Sequence, residues 1–517
     1  MFLAGGARLK GRRLFINTIF MTATSLLLRA AGLVFQVFLS RHMGAAGVGL
    51  FYLILSVSTF AATIAISGVR FATTRIVSEE VGRGRLSTIG ETVKRCLWYG
   101  VTFGFLASFI LYFSSGFIGA NIIDDTRSVL ALRLLAAGMP FLSAGAVLSG
   151  YFVGVCRVGR SAVGAISEEL FKIGVSVWLI SLTPPENIEM MCAAVVCGNV
   201  VGEVISFFVM LFLYIGDRRQ HGRKNAPLQE NMTLRIFGVA MPLALSAYAR
   251  TALSTIQNVL VPKGLRCSGQ SAEMSLSGYG TIQGMVFPII TFPAVLFSAV
   301  SELIVPELTE EQVCGHNRRV SHTANLLLRM CFSFSAGVMG ALVCFSDELG
   351  FVIYKSAQVG EYVRALAFLM PIMYMDTVTD GMLRGLGQHM YSMGINIVDS
   401  LLSTALVWFL LPKYAIYGYI LILYLSEIFN FFLSLRRLSS IADIRLDMTG
   451  ILKTTVSVFG AVNITKVMLR FVGGSSGAGR LISGMALFFA VYCVLLFLLR
   501  TVERSEMKRI RSALKNS

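Results

Sequence analysis

Charged residues are scarce in this chain. Aspartate, glutamate, lysine and arginine make up 14% of the 517 residues, whereas 55% are hydrophobic. Soluble proteins carry about 25% charged residues, so this composition excludes an ordinary soluble protein. The mean hydropathy of +0.72 indicates an integral membrane protein. The long apolar runs also exclude a β-barrel, whose strands would alternate over about ten residues.

Motifs of nucleotide binding and of catalysis are absent. The chain contains no Walker A, GxSxG or HExxH sequence, and its five histidines have no ligand spacing. None of the nine cysteines forms a CxxC pair, so neither a disulfide framework nor a zinc site is indicated. We therefore expect no cofactor and no metal site, and a nucleotide-driven pump or a metalloenzyme is disfavoured. The identity of any coupling ion stays open.

Acidic residues are outnumbered by basic ones, which gives a formal net charge of +17. A nucleic-acid partner is one explanation, but the basic residues concentrate in alternate short gaps between apolar runs. The bias is roughly threefold and follows the positive-inside rule. We therefore predict membrane lipids and no nucleic acid as partners. The expected location is the plasma membrane, with several passes and with both termini in the cytoplasm.

Apolar runs long enough to cross a bilayer, which needs roughly 20 helical residues, occur along the whole chain. They predict an all-α polytopic membrane protein with about fourteen transmembrane helices. The approximate spans are 14–40, 47–69, 93–118, 129–155, 161–183, 188–215, 234–261, 276–304, 323–345, 363–386, 389–411, 415–435, 450–471 and 480–500.

Two halves of the chain repeat. The fourth predicted helix carries Met139-Pro140 followed by Gly150 and Gly154, and the tenth carries Met370-Pro371 followed by Gly381 and Gly385. The even number of spans between the copies predicts parallel repeats, an arrangement known from transporters whose substrate site lies between the halves. The expected domains are an N-lobe at 1–230, a C-lobe at 231–440, and two further helices with a basic cytoplasmic tail at 441–517.

The first helix carries a polar stripe. Arg29 is the only charge from Leu14 to Ser40, and Ser25 and Gln36 share its helix face. The pattern recurs in the seventh helix as Ser246, Arg250 and Gln257. A guanidinium at membrane depth costs several kcal/mol unless it faces protein or a wet cavity. We interpret both stripes as the lining of a central cavity.

Two roles for Arg29 and Arg250 remain open. As ligand residues they would bind a phosphate through bidentate hydrogen bonds. As structural residues they would pair with carboxylates such as Glu168 or Asp399, which are therefore counter-ion candidates. Arg70, just inside the second span, is either a gate residue or part of a solvated helix attracted to anionic lipid.

Three segments resemble the stage V sporulation protein B family, polysaccharide-biosynthesis members of the multidrug/oligosaccharidyl-lipid/polysaccharide flippase superfamily. They are GLVFQVFLSRHMGAAGVGLFYLILSVSTFAATIAISGVRFATTRIVSEE, NVLVPKGLRCSG with GYGTIQGMVFPIITFPAVLFSAVSELIVPELTEE, and the Met-Pro helices with their glycine pairs. The resemblance covers about residues 10 to 500.

The resemblance implies two parallel six-helix repeats in the V-shaped arrangement of MATE exporters and lipid II flippases, with two additional C-terminal helices and alternating access. It also implies an undecaprenyl-pyrophosphate-linked glycan or peptidoglycan precursor as cargo, with the cell-wall synthesis machinery as a candidate partner. In the lipid II flippase relatives an arginine of the first helix serves the cationic cavity, and Arg29 matches that position. An acidic residue is usual in the family near Asn258. This chain lacks it, so the role of that carboxylate in the family is not expected here.

Three functions are compatible with these observations. The leading hypothesis is a flippase for a lipid-linked precursor, which is a transporter and not an enzyme. A cation-coupled drug or metabolite exporter needs intramembrane carboxylates as ion sites, whereas the lone mid-helix charges of both repeats are positive. A membrane-embedded glycan polymerase or ligase needs sizeable outer loops, and every predicted outer gap is short.

Overall fold

The computed structural model describes residues 2–85, 87–184, 186–220, 232–295, 308–444, 447–471 and 477–499, with most side chains from Thr24 onward. Within these ranges every regular element is a helix, which confirms the predicted all-α fold. Three predicted features lie outside the described residues: the lobe boundary at 230/231, the end of the eighth span and the basic tail after residue 500.

The helices are labelled α1 to α15 in chain order. They are α1 (Phe2–Ile66), α2 (Val69–Gly82), α3 (Ile89–Phe117), α4 (Val129–Gly154), α5 (Val158–Leu182), α6 (Ile188–Gln220), α7 (Met232–Cys267), α8 (Ala272–Thr281), α9 (Phe287–Thr291), α10 (Asn317–Tyr354), α11 (Ala357–Ala367), α12 (Met370–Gly385), α13 (His389–Ile441), α14 (Met448–Phe471) and α15 (Ala478–Leu498). Eight stretches of the described chain are long and apolar enough to cross a membrane, and the count of fourteen spans stays a prediction.

Helices α1 and α13 each contain a break that divides them into two arms. The α1 break is at Gly44, whose φ of 67° is readily adopted only by glycine. Gln36 and Tyr52, equally distant from Gly44, are hydrogen-bonded, so the two arms lie side by side. The α13 break is at Ala415, with a φ of 49°, and Ser426 of its second arm donates to Asp399 of its first arm over 2.7 Å.

The chain divides into two compact units. The first unit is Arg13–Gly280, and the second is Thr281–Ser517 together with the short segment Met1–Arg12. Helix α7 and most of α8 therefore belong to the first unit. The predicted lobe limits at 230/231 and 440/441 describe the sequence repeat, and they stay a prediction.

Apolar side chains of α2, α3, α4, α6 and the start of α7 form the main described core of the first unit. Cys96, Val147, Phe152 and Ile236 are almost fully buried there. Helix α2 is short and follows a sharp turn in which Ser67 and Gly68 both have positive φ. This turn directs the side chains of α2 into the core, so the segment after the second predicted span is packed and is not a free surface helix.

Hydrogen bonds recur in the two units at one common offset along the sequence, the offset that separates Pro140 from Pro371. Ser78 donates to the carbonyl of Gly154, and Thr309 donates to that of Gly385, each pair 76 residues apart. Two further pairs, each 18 residues apart, are Arg133 with Ser115 and Arg364 with Ser346. The repeat seen in the sequence therefore extends to individual contacts.

The two repeats differ at their equivalent prolines. Pro140 lies inside α4, whereas Pro371 occupies the first turn of α12, where the missing N–H is not needed. The predicted span 363–386 contains a two-residue turn, because α11 ends at Ala367 and α12 begins at Met370. Pro288 likewise lies in the first turn of α9.

Helices α14 and α15, predicted to lie outside the repeat, pack on α10 of the second unit. The hydroxyl of Tyr492 donates to the carbonyl of Ser333 over 2.6 Å. A Cβ at Gly337 would approach the Tyr492 ring to 2.5 Å. Small residues on α10 thus admit the aromatic side chains of α15, a packing mode common in membranes.

Substitution at the crossing of α1 and α8 is expected to destabilise the first unit. A Cβ at Gly280 would lie 2.1 Å from the carbonyl oxygen of Ala45, so Gly280→Ala forces two backbones apart. Gly116→Ala is the matched control, because a Cβ there meets nothing within 4 Å and alanine favours helix by about 1 kcal/mol. We expect a lower thermal transition for the first variant only, measured by loss of the monodisperse species on heating. Equal transitions would contradict the close crossing.

The N-terminus of α14 is expected to give a pH-dependent contribution to stability. Asp447 accepts hydrogen bonds from the Thr449 hydroxyl and the Gly450 backbone N–H, which lower the pKa of its carboxyl. The charged cap therefore contributes fully above about pH 4, the ordinary aspartate value, and less as the pH falls through the lowered pKa. Asp447→Ala should cost about 1 kcal/mol at neutral pH. Thermal unfolding of Asp447→Asn, which caps without a charge, should lack this pH dependence.

Candidate functional site

The polar face of α1 separates into two parts in the structure. Ser25 and Arg29 are exposed on the first unit, and among the described residues Arg29 has no hydrogen-bond or ion-pair partner. Gln36 instead donates to the hydroxyl of Tyr52, so its amide joins the two arms of α1. The structure therefore uses Gln36 for helix packing, and a ligand role of Arg29 stays a prediction.

The matching residues of α7 follow a similar division. Arg250 is exposed and has no partner among the described residues. Ser246 donates to the carbonyl of Leu243 in its own helix over 2.8 Å, and Gln257 is half-buried. Arg29 and Arg250 both lie in the first unit, but no described contact joins them. A shared ligand for the two arginines stays a prediction.

Polar side chains dock α7 on the second arm of α1. The hydroxyl of Tyr248 donates to Ser67 over 2.7 Å, and the hydroxyl of Thr255 donates to the carbonyl of Ser56 over 3.1 Å. Asn258 donates to the Ser56 hydroxyl over 3.1 Å. The residue where the related family usually has an acid is therefore a helix-contact residue in this chain.

Charged groups hold both ends of α7. Near its start, Arg235 pairs with Glu79 and Glu80 of α2, at 3.3 Å to the latter. Near its end, Arg266 pairs with Asp124, and Lys263 donates to the carbonyl of Asn121 over 2.9 Å. Sequence patterns do not show such pairs, because the partners are more than 140 residues apart.

A network of charged groups connects α2 and α5. Lys172 pairs with Glu169 one turn earlier on α5, and both side chains are only partly exposed. Glu168 interacts electrostatically with Lys172 and Arg70. The predicted counter-ion Glu168 and the predicted gate residue Arg70 therefore belong to one group.

This network lies beside the arginine face of α1. Gly32 follows Arg29 by one helical turn, and a Cβ at Gly32 would lie 3.7 Å from an oxygen of Glu169. Lys172 and Glu169 were not among the predicted site residues. Their signal was present as two opposite charges three residues apart in an otherwise apolar span.

Asp399, the counter-ion candidate of the second unit, has a neutral partner. Both of its carboxylate oxygens accept from the hydroxyl of Ser426, over 2.7 and 2.9 Å. Asp376 and Glu427 interact with it electrostatically. The described contacts thus place Asp399 among carboxylates and not against an arginine. Within the described residues no His, Cys, Asp and Glu cluster could hold a metal ion.

The family follows from the match to known sequence patterns. A family model described as polysaccharide biosynthesis protein matches residues 14–306, more than half of the chain. The chain belongs to this family. A second model, MatE, matches residues 265–409, and both place the protein in the multidrug/oligosaccharidyl-lipid/polysaccharide flippase superfamily. It is therefore a multi-pass membrane transporter of this superfamily.

Three relatives show how far the similarity extends. Stage V sporulation protein B of Bacillus subtilis (strain 168) is 20% identical over 504 residues, covering 96% of this chain and 97% of that protein. Lipid II flippase MurJ of the same organism is 21% identical over 362 residues, covering 63% of this chain and 64% of that protein. The solved structure of lipid II flippase MurJ in an inward closed conformation has a TM-score of 0.72 at 12% identity, covering 93% and 99% of the two chains. The structural similarity confirms the fold.

Removal of the Arg235 cation is expected to loosen the start of α7. Glu80 is 3% exposed at its side chain, so Arg235→Gln leaves a buried carboxylate with weaker pairing. Hydrogen exchange of residues 232–240 should rise severalfold. The matched control is Arg75→Gln, which removes a pairing of Glu79 from a guanidinium that is 59% exposed and should have little effect. Equal protection of residues 232–240 from hydrogen exchange in both variants would contradict a role of Arg235 in holding the start of α7.

Proposed function

We propose that this protein is a flippase that moves an undecaprenyl-pyrophosphate-linked oligosaccharide or peptidoglycan precursor across the cytoplasmic membrane by alternating access. The observation that carries the proposal is Arg29, a guanidinium at membrane depth that is exposed and has no described partner. Such a group needs an anion, water or protein around it. A site that admits an anionic headgroup provides the first of these.

The chemistry of a prenyl diphosphate fits this arrangement. Its apolar tail can remain in the bilayer, because only the phosphate and sugar must avoid hydrocarbon. A planar guanidinium binds phosphate oxygens bidentately, with stronger bonds than neutral donors form. Arg29 and Arg250 would bind the phosphates, with Ser25, Ser246 and Gln257 as candidate hydrogen-bonding groups. Gln36 has a smaller expected role because it bonds to Tyr52.

The proteins that this chain resembles support the same cargo class. One relative is described as a lipid II flippase, and the matching family model is described as polysaccharide biosynthesis protein. The predicted plasma-membrane location, with cytoplasmic termini, would place the cationic residues where a precursor made in the cytoplasm enters. The cell-wall synthesis machinery would then be the partner that supplies or receives the cargo.

One observation favours a second candidate function, a cation-coupled exporter. Asp376, Asp399 and Glu427 interact with one another in the second unit, and intramembrane carboxylates are common in ion-coupled transporters. The MatE model covers the first two of these residues. Cationic dye efflux by purified protein that is lost in Asp399→Asn would favour this function over the flippase.

Neutralisation of Arg29 is expected to slow headgroup translocation at least about tenfold, the effect of roughly 1.4 kcal/mol. Translocation of a fluorescent prenyl-diphosphate glycan by proteoliposomes, read by headgroup quenching, measures the loss for Arg29→Gln. Arg29→Lys should retain part of the rate, because it keeps the charge and loses the bidentate geometry.

The matched control is Arg364→Gln, which removes a cation paired with Asp347 in the second unit and should leave the rate unchanged. Unaltered translocation by Arg29→Gln would refute the assignment of this residue. Absence of translocation by the unmodified protein in either membrane orientation would refute the proposed function itself.

A further inference from the structure

Glu203 of α6 is a buried carboxylate of the first unit whose charge no ion pair neutralises among the described residues. Its residue is 8% exposed. One carboxyl oxygen accepts a hydrogen bond from Asn199 over 3.3 Å, and the other is buried without a partner. An ionised carboxylate in such surroundings would lack most of its solvation, at a cost of several kcal/mol.

The position of the unpartnered oxygen is fixed by α4. A Cβ at Gly138 would lie 2.5 Å from it, so the oxygen occupies the notch that this glycine leaves in α4. No titratable side chain of α4 contacts it in the described contacts. The facing groups on α5 are Glu168 and Lys172, which interact with Glu203 electrostatically.

The nearby cations are already engaged. Lys172 pairs with Glu169, and the interaction of Arg70 is with Glu168. Three carboxyl groups therefore face two cations, and Glu203 is the group that lacks a cation of its own. If the Glu203 carboxyl is protonated and neutral, two carboxylates remain for the two cations. The proton would be bound to the oxygen in the Gly138 notch.

The internal repeat has a neutral residue at the position equivalent to Glu203. At the common offset that relates Pro140 to Pro371, Glu203 corresponds to Ser434 and Asn199 corresponds to Asn430. Ser434 is 2% exposed, so a small neutral side chain fills the equivalent position of the second unit. The carboxyl of Glu203 therefore has no counterpart at the same position of α13, where Ser434 instead interacts with Asp376.

We propose that Glu203 is a proton-binding site of the first unit, and that its proton leaves for water when Lys172 moves from Glu169 to Glu203. In this step the carboxyl O–H bond breaks, the proton passes to water, and a Lys172–Glu203 ion pair replaces the Lys172–Glu169 pair. Lys172 is a neighbour of this site, because it packs on Gly202, the residue before Glu203, with a Cβ there at 3.2 Å from the Lys172 Cβ. Proton release is thereby linked to a rearrangement between α5 and α6.

The test is infrared difference spectroscopy of the full-length protein in lipid nanodiscs, which detects the C=O stretch of a protonated carboxyl and its shift in deuterated water. At neutral pH the unmodified protein should show a band that is lost in Glu203→Gln and in Glu203→Ser. The serine variant copies the second repeat, so its loss of the band does not depend on disrupted packing. Glu168→Gln should retain the band.

Two further variants test the geometry. Gly138→Ala should shift the band, because the new methyl group displaces the carboxyl, whereas Gly145→Ala on the same helix meets nothing within 4 Å and should leave it unchanged. Glu169→Gln should weaken the band, because it frees Lys172 to pair with an ionised Glu203. A spectrum of Glu203→Gln identical to that of the unmodified protein would overturn the proposal, and an unchanged band in Glu169→Gln would overturn the exchange step.

Discussion

A charge at membrane depth must be hydrated, paired or neutralised, and this requirement governs the first unit. Hydrocarbon offers no solvation, so each ionisable group there depends on its neighbours. Lys172 is paired with Glu169, Arg29 is exposed without a described partner, and Glu203 is buried with one free oxygen. These three groups lie on α1, α5 and α6, so the first unit combines an exposed cation, an ion pair and a buried carboxyl.

The docking of α7 also depends on polar groups, because hydrocarbon lipid competes with apolar helix contacts. Apolar packing gives little preference between a helix neighbour and a lipid tail, so helix contacts in membranes depend on polar bonds and close approach. Helix α7 uses both, through Tyr248, Thr255 and Asn258 along its length and through the notch at Gly68, where a Cβ would lie 2.6 Å from the Ala240 carbonyl oxygen. Polar bonds can exchange with water or with a polar ligand, so this contact is specific and still reversible.

Local patterns were sufficient to predict the all-α fold and the repeat, because these depend on hydropathy and spacing. They identified Arg29 as a single charge in an apolar run but left open whether it is paired. They could not show that α7 packs with the first unit, since Arg235 and Glu79 are far apart in sequence. The turn before Pro371 has no separate signal in the sequence, because Pro140 fits a continuous helix in an equivalent context. The state of Glu203 depends on the absence of a side chain at Gly138, which sequence spacing does not reveal.

The inclusion of α7 in the first unit has a consequence for biosynthesis. The ribosome must release the chain as far as Gly280 before the contacts of Arg235, Tyr248 and the Gly49–Gly280 crossing can all form. Until then, the carboxylate of Glu80 and the backbone notches at Gly49 and Gly68 lack their partners from α7 and α8. The nascent bundle is therefore open on that side during insertion, and completion of α8 closes it before most of the second unit has been translated.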